Sequence, residues 1–122
     1  MRKMSQIDAE VNEILQSLKK IKGIHGSAIL ERYGLISGST LPGWVDAESV
    51  AAMVSLILKA SERATKELNQ GEFRNATIEN ERGKLLFSAI GNKVIVILTT
   101  VDAKLGILDL KLNAAREKLT SK

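Results

Sequence analysis

Five consecutive apolar residues, Val94-Ile95-Val96-Ile97-Leu98, stand between polar neighbours in "KVIVILTT". Their number and β-branched character mark a strand. A strand can be apolar at every position only when both faces of its sheet are covered. This one is therefore expected at the centre of a sheet, and the rest of the chain has to supply its neighbours and its covers.

The neighbours are legible. Gly91-Asn92 is a two-residue hairpin signal that joins the central strand to "KLLFSAI" (84–90), and Glu81-Arg82-Gly83 turns that strand back to the polar, alternating "FRNATIEN" (73–80). Two shorter runs, 27–30 and 35–39, flank Glu31-Arg32-Tyr33-Gly34. A type I turn over Arg32 and Tyr33 with Gly34 left-handed closes this hairpin without strain.

The covers are helical. Ile7, Val11, Ile14, Leu15, Leu18 and Ile21 recur at one helical face, so a helix is expected over 5–22 with Gly23 as its stop. Asp46 is the expected N-cap of a second helix over 47–69, with Val45 and Val50 at the spacing of a hydrophobic staple. Val50, Met53, Val54, Ile57, Ala60, Ala64 and Leu68 form its expected core stripe. Ala51, Ala52, Ser55, Leu56 and Leu58 then make a second, outward surface of small and apolar residues. Leu105, Leu108, Leu112, Ala115 and Leu119 mark a terminal amphipathic helix. The order is α-β-β-α-β-β-β-α, an α+β chain forming one domain over 1–122, a length that buries one continuous core.

With aromatics at only 3%, that core must be aliphatic. The absence of cysteine excludes disulfides, thiolate metal sites and a thiol nucleophile, and gives a cytoplasmic expectation. No apolar run approaches a membrane span and no apolar stretch follows the basic start, so no membrane partner is expected. Ten of the eighteen cations lie in residues 1–22 and 104–122 against five acids, which makes the two end helices the basic part of a chain of net charge +4. Without a reading motif or stacking aromatics, a solvated surface explains them better than nucleic-acid binding.

Three patterns carry a family resemblance: "GSAILERYGLISG" as the first hairpin, "VDAESVAAMVSLILKASERATKEL" as a long Ala-rich middle helix, and "GKLLFSAIGNKVIVILTTVDAKLGILDLKLNAA" as the last hairpin and final helix. Together they resemble the Roadblock/dynein light chain family of longin-like modules, over nearly the whole chain. The resemblance implies a five-stranded antiparallel sheet sandwiched by helices, with the first and last helices on one face and the middle helix on the other. It also implies a homodimer built from antiparallel middle helices and joined third strands. The open backbone edge of a polar strand 73–80 and the small outward residues of the middle helix independently favour such pairing.

On that basis the expected dimer interface comprises Ala51, Ala52, Ser55, Leu56, Leu58, Lys59 and Glu62 on the helix, with Arg74, Asn75, Ala76, Thr77 and Ile78 on the strand. Trp44, Arg63 and Arg82 are the candidate partner contacts. No catalytic, cofactor or metal site is expected. His25 lacks ligand partners, the serines match no nucleophile elbow, and the glycines sit at turns and strand ends without forming a phosphate loop. The resemblance points to a non-enzymatic homodimeric scaffold or regulator of a Ras-like small GTPase, acting through a platform of paired middle helices. A nucleic-acid-associated basic protein is the alternative, and a small-molecule sensor a third.

Overall fold

The computed structural model describes residues 2–32 and 34–120, with side chains for 9–32, 34–104 and 106–117. Its elements follow the expected order: α1 (Arg2–Lys19), β1 (Ile24–Glu31), β2 (Ile36–Ser39), α2 (Ala47–Glu67), β3 (Asn75–Asn80), β4 (Gly83–Ile90), β5 (Lys93–Thr99) and α3 (Leu105–Thr120). The five strands form one antiparallel sheet in the order β2-β1-β5-β4-β3. β5 is central, and Val94 to Ile97 are almost fully buried, as a strand apolar on both faces requires.

Strand alternation sorts the core into two layers. Ile29, Leu86, Ile90, Ile95 and Ile97 point to α1 and α3, meeting Val11, Ile14, Leu15, Leu18, Leu108, Leu112 and Ala115. Ala28, Leu30, Phe87, Ala89, Val94 and Val96 point the other way, to Ala51, Val54 and Leu58 of α2. The two end helices thus share one face and the middle helix takes the other. The side chains of Ile7, Leu105 and Leu119, counted in the expected stripes, lie outside the described residues.

Local chemistry explains most boundaries. Asp46 caps α2, its Oδ1 accepting from the Ser49 amide at 3.2 Å. The helix ends in a Schellman arrangement: Gln70 N donates to Thr65 O and Asn69 N to Lys66 O, both at 3.1 Å, with Asn69 left-handed at φ 56°. α1 stops at Lys19, short of the expected residue 22, because Lys20 and Ile21 bond back to Ser17 and Leu18 in tighter i to i−3 fashion.

The β4–β5 loop is the expected two residues, with Gly91 at φ 59°. At the β1–β2 tip Gly34 is left-handed at φ 94°, donating to Glu31 O, while Glu31 N donates to Leu35 O. These bonds match the expected turn, although Tyr33 itself lies outside the described residues. β2 is a short edge strand whose pairing with β1 shifts register between Ile29 and Leu30. A Cβ at Gly38 would meet Leu15 Cδ1 at 2.9 Å and Val11 Cγ1 at 3.0 Å, so glycine there lets α1 close over this edge.

One expectation is overturned. Ala51 and Leu58, assigned to the outward surface of the middle helix, are each 1% exposed and sit with Val54 in the core. Met53, Ala60, Ala64 and Leu68, assigned to the core stripe, are exposed. α2 is rolled by roughly a quarter-turn from the sequence reading. Ala51 shares its buried layer with Ala28 and Ala89, and residues this small suit close approach of a helix to a sheet.

Candidate interaction surface

The residues around the circumference of α2 meet different neighbours. One flank faces the hairpin tips. A Cβ at Gly34 would sit 3.0 Å from Ser55 Oγ. Arg32 Nη1 pairs with the Glu62 carboxylate, while Arg32 Nε donates to Gly91 O at 3.2 Å. One guanidinium therefore ties the β1–β2 tip, the β4–β5 loop and α2 together, using the planar fork that lysine lacks.

Beside it, Glu31 Oε2 accepts from Ser37 Oγ at 2.6 Å and pairs with the Lys93 ammonium. Partial burial alone would raise the Glu31 carboxyl. The bonds from Lys93 and Ser37, with the attraction of the ammonium, outweigh that and hold it below the ordinary glutamate value.

Away from the tips, Val50 and Ile57 of α2 and Phe73, Ala76, Ile78 and Leu85 are half-buried against the same core layer, where Phe73 and Phe87 stack with centroids 5.8 Å apart. Beyond that layer the apolar arc of the helix continues into solvent. Met53 is 53% exposed and Leu56 67%, and Ala60, Ala64 and Leu68 are exposed with them. β3 is the last strand of the sheet, paired to β4 from Asn75↔Ser88 to Asn80↔Gly83 and bare on its outer edge. Ala76 and Ile78 turn under α2, while Asn75, Thr77 and Glu79 face the opposite side and are exposed. The exposed apolar arc thus lies on the side of the sheet toward which Ala76 and Ile78 of the edge strand turn.

The twelve residues expected at a dimer interface divide accordingly. Leu56 lies on the exposed arc; Ala52 and Lys59 are exposed farther toward the hairpin flank. Ser55 and Glu62 are engaged by the hairpin tips. Arg74, Asn75, Ala76, Thr77 and Ile78 line the open edge, and Ala51 and Leu58 are removed from any surface by burial.

Sequence reasoning missed Met53, Ala60, Ala64 and Leu68 as surface. Their presence in an apolar arc wider than one sheet could cover was the available signal. Of the candidate partner contacts, Trp44 is exposed in the loop before α2, Arg63 lies about 24 Å along the helix from its start, and Arg82 occupies the β3–β4 turn. The structure does not gather these three into one site. His25 is exposed where the β1–β5 register shifts, between Ile24 and Gly26.

An antiparallel sheet with helices on both faces, one of them broadly apolar, and an open strand edge defines a domain of the α+β type. The chain matches the Roadblock/LC7 domain over residues 10–100 and belongs to that family. It is 38% identical over 109 residues to the uncharacterised protein MJ1340 of Methanocaldococcus jannaschii, an alignment covering 89% of this chain and 96% of that one. Among solved structures it is similar to Myxococcus xanthus MglB, with a TM-score of 0.85 at 21% identity over 93% of this chain and 87% of MglB. A second similar structure, MglB in a tetrameric arrangement, gives a TM-score of 0.79 at 19% identity over the same shares. At these identities the structural likeness establishes the fold.

Proposed function

We propose that the chain works as a single Roadblock-like domain that pairs with a second copy of itself and, as a non-enzymatic cytoplasmic scaffold or regulator, docks a Ras-like small GTPase on the paired middle helices. The observation that carries the pairing is that the molecule exposes both the arc of Met53, Leu56, Ala60, Ala64 and Leu68 and, among the described residues, an unpaired edge of β3. Two copies related by a two-fold axis lay these arcs together and extend the sheet through Arg74 to Ile78, satisfying backbone groups that water otherwise serves. Alanines in the arc allow close helix approach. Membership of the family supports the GTPase as partner, and the mechanism is population shift: the platform binds one state of the partner's mobile switch segments more tightly than the other.

Light scattering at micromolar concentration is expected to report twice the 13.3 kDa of one chain, and Ala60→Arg is expected to halve that mass without unfolding it. A particle of single-chain mass from the unaltered protein ends the pairing model. For the partner, the immobilised chain is offered Ras-like GTPases of its own cell loaded with GDP or a GTP analogue. Retention of one state supports a switch reader, equal retention supports a tether, and failure to retain any GTPase refutes the assignment.

A further inference from the structure

A different part of the molecule, away from α2, combines charge and apolar surface. The turn leaving α1 and the turn entering α3 are packed together. Thr100 N donates to Gly23 O at 2.7 Å, and a Cβ at Gly23 would lie 3.2 Å from Ala103 Cβ. This contact gathers Lys19, Lys20 and Lys22 from one end of the sequence beside Lys104 from the other, all exposed.

Their acidic neighbours are few. Asp102 accepts from Thr100 Oγ1 at 2.8 Å and keeps its negative charge within reach of Lys22 and Lys84, and Asp109 lies in the second turn of α3. Lys84 stands opposite Glu79 in the β3–β4 pair and is left out of the cluster for that reason. Four ammonium groups therefore share this end with the carboxylates of Asp102 and Asp109, which leaves a net positive patch.

The same end exposes aliphatic side chains. Val101 lies in the turn itself, and Ile107 and Leu110 lie on the first two turns of α3. Leu108, Leu112 and Ala115 form the buried face of that helix, which leaves Leu110, 71% exposed, on the solvent side. Exposed ammonium groups and exposed aliphatic ones at one end of the molecule match one environment in particular, the boundary where anionic headgroups meet acyl chains. A nucleic acid would use the lysines and leave the aliphatic groups without a partner, and no aromatic side chain stands among them to stack on a base.

We infer that this end of the molecule is a docking surface for an anionic lipid bilayer, with Lys19, Lys20, Lys22 and Lys104 on headgroup phosphates and Val101 and Leu110 entering the interface. Lying on a surface does not require a span, and among the described residues no helix is long and apolar enough to cross a membrane. The inference sets aside the sequence expectation of no membrane partner, which rested on apolar run length and on the chain's start. Neither signal reports what the fold brings together. It stands independently of the role given to α2.

The test is partition of the full chain onto phosphatidylcholine vesicles with and without one-third phosphatidylglycerol. Binding to the anionic vesicles, release by high salt and absence from the neutral ones are expected. Lys22→Glu with Lys104→Glu is expected to weaken partition about 20-fold or more, since each basic residue near such a surface contributes about five-fold. Val101→Ser with Leu110→Ser is expected to weaken it several-fold while the urea midpoint holds.

Failure of the unaltered chain to bind the anionic vesicles overturns the inference, as does binding that high salt or the lysine reversals leave intact. Unchanged lipid binding by the serine variant, with lysine-dependent binding to duplex DNA, overturns it in favour of a nucleic-acid surface.

Discussion

Asn69 adopts φ 56° at the end of α2, a conformation that asparagine tolerates and glycine takes without cost. Asn69→Gly is therefore expected to raise stability by roughly 0.5 kcal/mol, and Asn69→Ala to lower it by about 1 kcal/mol. Chemical denaturation distinguishes the two signs. Glu31 makes a pH-dependent contribution. Its carboxyl is held below the ordinary glutamate value, so the stability it adds is present at neutral pH and is lost as pH falls through the lowered value. Because the pair with Lys93 is partly open to solvent, Glu31→Gln is expected to cost roughly 0.5 kcal/mol at neutral pH. That difference should vanish in strong acid. Denaturation curves of both proteins across that range check the sign, and a gap that widens on acidification contradicts it.

At the scale of elements, the roll of α2 separates two adjacent alanines that the sequence placed on one outward surface. Ala51 is buried against the sheet and Ala52 is exposed. Ala51→Leu is expected to cost about 1–3 kcal/mol by overpacking, and Ala52→Leu to stay within about 0.5 kcal/mol of the parent. Urea midpoints of the pair read the roll directly.

The strands were legible because their signals are local. Five apolar residues in a row demand the centre of a sheet, Gly91 suits a two-residue hairpin, and Asp46 caps the helix it precedes. The face of α2 was not legible, because periodicity finds an apolar arc without saying which part of it the chain's own sheet covers. Val50, Val54 and Ile57 lie on the shared part, and both readings include them. Met53 and Leu58 lie at opposite margins, where the sequence reading and the structure exchange places.

At the scale of the whole molecule, distance decided what the sequence could not. Trp44, Arg63 and Arg82 are each plausible contacts by residue type, yet they stand on separate parts of the surface. Lys22 and Lys104 are far apart in sequence and are brought to one end of the molecule by the Thr100–Gly23 bond and the close approach of Gly23 to Ala103. The proposed pairing predicts that Met53→Asp, a charge placed in the exposed arc, lowers the association constant by a factor of ten or more while leaving the far-ultraviolet dichroism of the chain intact. Sedimentation equilibrium measures the first quantity, and association unaffected by the charge would place the interface elsewhere.

The two borders of the sheet are unequal. β2 is four residues long, out of step with β1 at one point and overlaid by α1, whereas β3 presents six residues in regular pairing and, among the described residues, no strand on its outer edge. A protein with two open borders can string itself into fibres. With a single usable border, the first partner consumes it and growth terminates, so rising concentration should fill the pair and produce no longer ribbon.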